Sequence, residues 1–482
     1  MPAVNAGPTG KAPAVTADMG GVAPARLRQL PRLLPVLLAL LLAVVAYSSG
    51  MAIGFVSDDF NWLRQGAHDQ LGWAASFRLN PHSNALPFEI ALYHLKFVLF
   101  GFDATPYHVF AVAGHLANIL LIYVLAGRIG LSRPVACLSA LLAAVMAAGA
   151  QAVYWMSGDP HVWATLLTLS ALILYIDHCR QGGWWRYAAA ILLAVVAPLV
   201  KAEGVGVIGG VLAFELFWHR PAGLTWKVVP FALAPIPFVL WEWATQDQLQ
   251  THRGFGLNVL SGGLGYLKQI LLPLDPAHYF MATGGRLHVT LVALGIGLYL
   301  EAAGIVVLLV MALRRRGGTV RRRGHGACAR GHARHTVTLR VLRGPGGSGD
   351  RSRRRQRPVR TPSRSDGFEP AHGARGVFCA ALVGCQLVMT FQESSALRAA
   401  HNEAQALLAA VLSDHPSVRD GTAICLLNTP LDTGSATGVF ADPRLGPNVG
   451  IPNVTICSSA TNIPPGVWAY EREPDGTYKQ LQ

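Results

Sequence analysis

Three short segments hold side chains whose types and spacing could do chemistry. Phe55-Val-Ser-Asp58-Asp59-Phe-Asn-Trp62 sets two adjacent carboxylates among aromatic residues. A carboxylate can take a proton from a reacting hydroxyl, and an acidic pair can hold a cation. Solvated loop charges, or a helix start capped by Ser57 with the acids in its first turn, account for the same residues without chemistry. Pro198-Leu-Val-Lys201-Ala-Glu203-Gly204 joins two apolar runs with almost no polar linker. A charge at mid-membrane costs about 2.5–3.5 kcal/mol on insertion scales, so Lys201 and Glu203 belong near a membrane boundary or in a wet cavity. Pro198 and Gly204 predict a helix break there. The plain reading is a boundary turn; the functional one is a cation held at membrane depth, suited to a lipid-linked phosphate. Trp155-Met-Ser-Gly-Asp159-Pro-His161 is a third such turn. It needs no function, but Asp159 and His161 could face an outer cavity.

The elements that must position these residues are membrane helices. Of 482 residues, 52% are hydrophobic and 14% charged, against about 25% charged in soluble domains. After a Pro/Ala/Gly-rich leader (1–25, expected to be disordered) and the basic cluster Arg26, Arg28, Arg32, apolar runs recur at Leu33–Phe55, Tyr107–Ala126, Val135–Val153, Val162–Ile176, Tyr187–Leu199, Gly204–Trp218, Val228–Trp243 and Val289–Leu313. Runs of this kind are read as spans across about 30 Å of hydrocarbon. Ala85–Phe100 is apolar but holds Glu89, His94 and Lys96, which predicts an amphipathic helix lying on the membrane surface. Arg128, Arg133, Arg180, Arg186, Arg220 and Lys227 fall in alternate loops, so the positive-inside rule sets the N-terminus inside and the acidic pair outside.

The net charge of +14 is concentrated in one place: residues 314 to 375 hold 18 Arg, no Lys and three acids, leaving the remainder at −1. A disordered basic loop gripping anionic lipid or nucleic acid is one reading. The preferred reading is a compensated frameshift: all Arg and no Lys, with no aliphatic run, is what a GC-rich gene yields when translated out of frame. No nucleic-acid partner is then expected. The run Gly376–Phe391 (within 376–393) reads as a short last span, and 394–482 as a soluble tail with a helix over Ser395–Leu412 and a strand over Thr422–Asn428. The seven cysteines form no C-x-x-C, so neither zinc nor redox chemistry is indicated. Cys425 and Cys457 make a disulfide if the tail meets an oxidising compartment, or remain two buried thiols. The fold expected is an all-α polytopic membrane bundle of about eight or nine transmembrane helices over residues 26–313 and 376–393, with a small C-terminal α+β tail.

In order along the chain, the acidic loop after the first span, the Pro81–His115 segment containing Phe100-Gly-Phe-Asp-Ala-Thr-Pro-Tyr-His108, the Trp155–Asp159 turn and the Lys201-Ala-Glu203 turn resemble the multi-spanning GT-C glycosyltransferases. The resemblance is to the protein O-mannosyltransferase-like group and its bacterial relatives, and covers roughly residues 30 to 310. It implies transfer of a sugar from a polyprenyl-phosphate donor to a protein or glycan acceptor on the outer side of a bacterial plasma membrane. The N-terminus would be cytoplasmic and the tail external. Asp58 would activate the acceptor hydroxyl, Asp59 would assist, and Lys201 would meet the donor phosphate, with Glu203, Asp159 and His161 lining the cavity. One base and one cation suffice for that displacement, so no metal or cofactor is required, although an acidic pair is able to bind a divalent ion. The rival expectation is a non-catalytic transporter or scaffold, whose charges would lie at mid-membrane and be reachable from both sides.

Overall fold

A computed structural model describes residues 30–67, 72–78, 85–146, 149–219, 226–245 and 371–481. The leader, the span expected at Val289–Leu313 and residues 314–370 of the Arg-rich segment lie outside the described residues. The helices are α1 (Leu30–Ser48), α2 (Asp59–Ala67), α3 (Trp73–Ser76), α4 (Pro87–Phe100), α5 (Ala104–Arg128), α6 (Arg133–Val145), α7 (Ala150–Tyr154), α8 (Pro160–Gln181), α9 (Trp184–Val200), α10 (Gly206–Phe214), α11 (Val229–Leu233), α12 (Ile236–Thr245), α13 (Ala371–Asp414) and α14 (Thr433–Gly438). Strands β1 (Ala423–Leu427), β2 (Asn453–Ile456), β3 (Trp468–Arg472) and β4 (Tyr478–Gln480) form one sheet.

Among the described residues four segments are long and apolar enough to cross a membrane: Leu34–Ala52, Ala104–Arg128, Met156–Gln181 and Trp226–Thr245. Two shorter apolar helices, Arg133–Val145 and Trp184–Val200, lie between them. These mark an integral membrane protein, and the packing has a membrane protein's polarity. In α1 the small residues Ala39, Ala43 and Ala46 are buried, while Leu34, Leu37, Leu38 and Leu41 are exposed. That is the reverse of a water-soluble helix. Small residues at the contact let backbones approach, as in helix association within lipid. Ala140 and Ala144 of α6, and Ala190, Ala194 and Ala197 of α9, repeat the pattern.

Three of the expected runs are interrupted. Val135–Val153 ends as a helix at Val145 and resumes as α7. Gly204–Trp218 becomes α10 followed by a π-helical turn, Glu215–His219. In the last of them, Ala234 and Pro235 form a turn between α11 and α12.

The break predicted between Pro198 and Gly204 is present: α9 stops at Val200, Lys201 is extended, and Ala202–Val205 forms a 3-10 turn. A side chain at Gly204 would run into the backbone of Ala197 and Pro198, so the close return of the chain requires glycine.

The amphipathic helix over Ala85–Phe100 also forms, as α4, but its polar face points inward. Glu89, Tyr93 and Lys96 are buried, while Val98 and Leu99 are exposed. Residues at i, i+4 and i+7 share one helical face. Here that face is turned to partner groups inside the protein rather than to water.

The short last span and the tail helix are one element, α13, 44 residues without interruption. At about 1.5 Å per residue it is a rod of about 66 Å. Within the bundle Thr390 donates from Oγ1 to the Val145 carbonyl at 3.0 Å, and in the tail the helix supports the sheet. The sheet order is β2-β1-β3-β4, with β1 parallel to β2 and β3 and with β4 antiparallel to β3. β1 falls where the strand Thr422–Asn428 is expected, and a disulfide joins Cys425 to Cys457. The tail is seated on the bundle. One apolar core takes Phe55, Phe60, Leu63, Tyr93 and Tyr107 from the bundle end, and Leu407, Val411, Ile424, Phe440 and Tyr470 from the tail.

Candidate functional site

The site lies where α1, α4, α8 and α9 end beneath the tail. A short turn separates the two acids. Ser57 has φ 49°, a left-handed conformation that a non-glycine residue rarely adopts and that tends to cluster at functional sites. After it, Asp59 turns inward and Asp58 stays exposed. Asp59 Oδ2 accepts from the Val56 amide at 2.9 Å, and Oδ1 accepts from the Ser157 amide at 2.8 Å and the Ser157 hydroxyl at 2.5 Å. Burial pushes the Asp59 carboxyl up to about 7, against these donors and the Lys96 charge, which favour the ionised form. Asp59 therefore fastens the start of α2 to the Met156–Gly158 turn.

Asp58 opens into a cavity of about 510 Å³ shared with Glu89, Trp155, Ser157, His161 and Lys201. Lys201 donates from Nζ to Glu89 Oε1 at 2.7 Å. Of its three N–H groups, that bond uses one. Partial burial raises the Asp58 carboxyl above the ordinary aspartate range; the negative charge of Asp432 in the tail adds to this, and Lys201 opposes it. A raised carboxyl is a stronger base once ionised.

Four of the six residues singled out in the sequence converge here. Asp58, Lys201 and His161 reach the cavity, and Glu203 pairs with His161 (Nδ1 to Oε1, 3.1 Å) at its edge. The other two, Asp59 and Asp159, face inward. Asp159 is fully buried and accepts from Lys96 Nζ at 2.8 Å, so it belongs to the floor beneath the cavity. Tyr93 completes that floor: its hydroxyl donates to the Ser157 carbonyl at 2.9 Å, its ring stacks on Trp62 at 3.9 Å, and Lys96 Nζ lies 4.3 Å from its centroid. Glu89, Tyr93 and Lys96 carry this arrangement from α4, and none was singled out as a site residue from the sequence. Their i, i+4, i+7 spacing was the available signal.

A second cavity, of about 410 Å³, lies on the tail side, and Asp58 and Asn61 line both. Its remaining walls come from α14 and the start of β2. A side chain at Gly438 would come within 2.7 Å of the Ser57 carbonyl oxygen, so glycine lets the tail touch the turn that presents Asp58. Among the described residues no group of three or more His, Cys, Asp or Glu is arranged to hold a metal ion.

At the opposite end of the bundle Arg128 bonds Asp177 at 2.6 Å, and Tyr187 donates to the Lys227 carbonyl at 2.8 Å. Arg128 and Lys227 thus lie on the face away from the tail. Comparison with models of known protein families returns no match, and comparison with curated proteins returns none either.

Proposed function

We propose that this chain is a membrane glycosyltransferase of the GT-C type, moving a sugar from a polyprenyl-phosphate donor to an acceptor hydroxyl at the outer face of the membrane. The observation that supports this reading is the single cavity at one end of the bundle to which both Asp58 and Lys201 open. In the reaction Asp58 takes the acceptor's proton as the acceptor oxygen bonds to the anomeric carbon. The bond from that carbon to the phosphate oxygen breaks, and polyprenyl phosphate leaves with the electron pair. Lys201 keeps Glu89 and offers its remaining N–H groups to the departing phosphate, where charge builds up. Asp59 holds the turn that aims Asp58.

The reading includes a bundle of about eight or nine crossings, an inner basic face, and a tail on the outer, oxidising side, where the Cys425–Cys457 disulfide is at home. A transporter fits less well. The ion pairs of the described bundle gather at its two ends, at Lys96–Asp159 and Lys201–Glu89 on one side and Arg128–Asp177 on the other.

The test is transfer from a labelled polyprenyl-phosphate sugar in membranes carrying this chain, beside the same membranes with Asp58→Asn. Loss of a general base typically costs about 10²–10⁴ in rate. Equal transfer in both removes Asp58 from the role.

A further inference from the structure

The tail-side cavity is not explained by donor binding. Its lining holds no cationic side chain: the walls include Asp58 and Asn61 of the bundle, Thr433 and Thr437 of α14, Asn453 of β2, and the apolar Ile451, Pro452 and Val454. Asp432, at the cap of α14, adds a second carboxylate close enough to act on Asp58. The two cavities flank Asp58 with opposite chemistry. Lys201 and His161 lie on the bundle side, where a phosphate would be met; hydroxyls, amides and carboxylates lie on the tail side.

The polar groups on the tail side face solvent rather than other parts of the protein. Among the described residues the side chains of Asn61, Thr433 and Thr437 make no hydrogen bond, and that of Asn453 makes only a long one, 3.4 Å to the Gly421 carbonyl. A cluster of solvent-facing donors and acceptors beside a small apolar strip is complementary to a ring bearing hydroxyls on its edge and C–H groups on its face. The volume falls within the roughly 300–1,000 Å³ usual for small-molecule sites.

We infer that the tail-side cavity is the acceptor subsite and that it takes an uncharged, polyhydroxylated chain end, the terminal sugar of a glycan, delivering one hydroxyl to Asp58. This rests on the transferase reading. It adds that the tail selects the acceptor, and that anionic sugars are turned away by Asp58 and Asp432.

The experiment uses the full-length protein in lipid nanodiscs and two separate readouts. The first is equilibrium binding, without donor, of three neutral disaccharides (maltose, cellobiose and mannobiose) and of a uronic-acid disaccharide. The second is release of polyprenyl phosphate from a labelled polyprenyl-phosphate sugar. At least one neutral disaccharide is expected to bind at millimolar concentrations, and the uronate at least about tenfold more weakly, a difference of about 1.4 kcal/mol. Thr437→Trp, which fills the cavity, is expected to weaken binding at least about tenfold, and Asn453→Ala to weaken it in the same direction without filling space. Asp475→Ala, in the β3–β4 turn outside the cavity, is expected to leave it unchanged.

If no neutral disaccharide binds while the donor is still turned over onto hydroxyl-bearing peptides, the glycan assignment is overturned and the transferase reading stands. Uronate binding as tight as the neutral sugars also overturns it, as does binding indifferent to both cavity variants. If disaccharides bind but no acceptor ever draws sugar from the donor, the acceptor role falls together with the transferase reading.

Discussion

At the level of single residues, the two neighbouring acids have different surroundings and different work. Asp58 faces the cavities, and its basicity depends partly on Asp432 across the tail interface. Asp432→Asn keeps the cap, since asparagine caps a helix start as well as aspartate, but removes the negative charge. Asp58 is then more easily ionised. In the proposed transfer Asp58 acts in its ionised form, so the acidic limb of the rate profile should move to lower pH, measured as kcat/KM against pH for the two proteins; an unmoved limb separates Asp432 from the reaction.

The pair Lys96–Asp159 is a purely structural counterpart. Both side chains are almost wholly buried, at 0% and 1% exposure, so deleting one leaves a charge stranded. Lys96→Met should lower stability by about 3–5 kcal/mol, and adding Asp159→Leu should recover most of the loss. Thermal unfolding of the purified chain in detergent measures both. Asp58 and Lys201 were legible as candidates because charges beside apolar runs stand out. Asp59 was not separable from its neighbour, because the Ser57 turn that parts them leaves no signature in a serine.

Among the elements, most of the bundle helices lie where the apolar runs put them, since length and hydropathy decide that a segment enters lipid. Their interruptions were less legible. The turn at Ala202–Val205 was announced by Pro198 and Gly204, whereas the break after Val145 holds a single glycine, Gly149, at the start of α7 and no proline. The face of α4 was misread because charges were assigned to water; in a membrane protein they can equally turn to one another. In the tail, alternation disclosed β1, while β2 and β4 are too short, at four and three residues, to show a period. Nothing in residues 433–454 announces an approach to Asp58.

That approach depends on α14 touching the Ser57 turn at Gly438. Gly438→Ala should force the two backbones apart at a cost of about 1–3 kcal/mol. Faster proteolytic release of the tail from otherwise intact bundle would report it; unchanged cleavage rates would mean that the contact yields easily.

For the whole molecule, the described charges make two poles. Asp58, Asp59, Glu89, Lys96, Asp159, Lys201 and the tail occupy one end, and the Arg128–Asp177 pair and Lys227 the other. Single cysteines introduced at Ala85 and Thr461 should react with a membrane-impermeant thiol reagent from the same side, and one at Gln181 from the opposite side. Labelling of all three from one side contradicts the arrangement. The Arg-rich stretch gives a further check at this scale. Residues 404–478 share a core with residues 55–107, as expected of a chain read in one frame at both ends; resequencing the gene across codons 314 to 375 should find two compensating shifts between them.

The shared core also fixes an order of events during biosynthesis. Ser49 and Ser394, which bond at 2.8 Å within the bundle, lie 345 positions apart. At about 5–20 residues per second, a ribosome needs tens of seconds to travel between them. Throughout that interval Phe60, Leu63 and Tyr93 have reached the membrane without the residues that cover them. A nascent chain halted before its last segment would be inserted yet uncapped, with aromatic surface bare to any holdase or protease at that face. Quality control acting there would remove incomplete copies and spare finished ones.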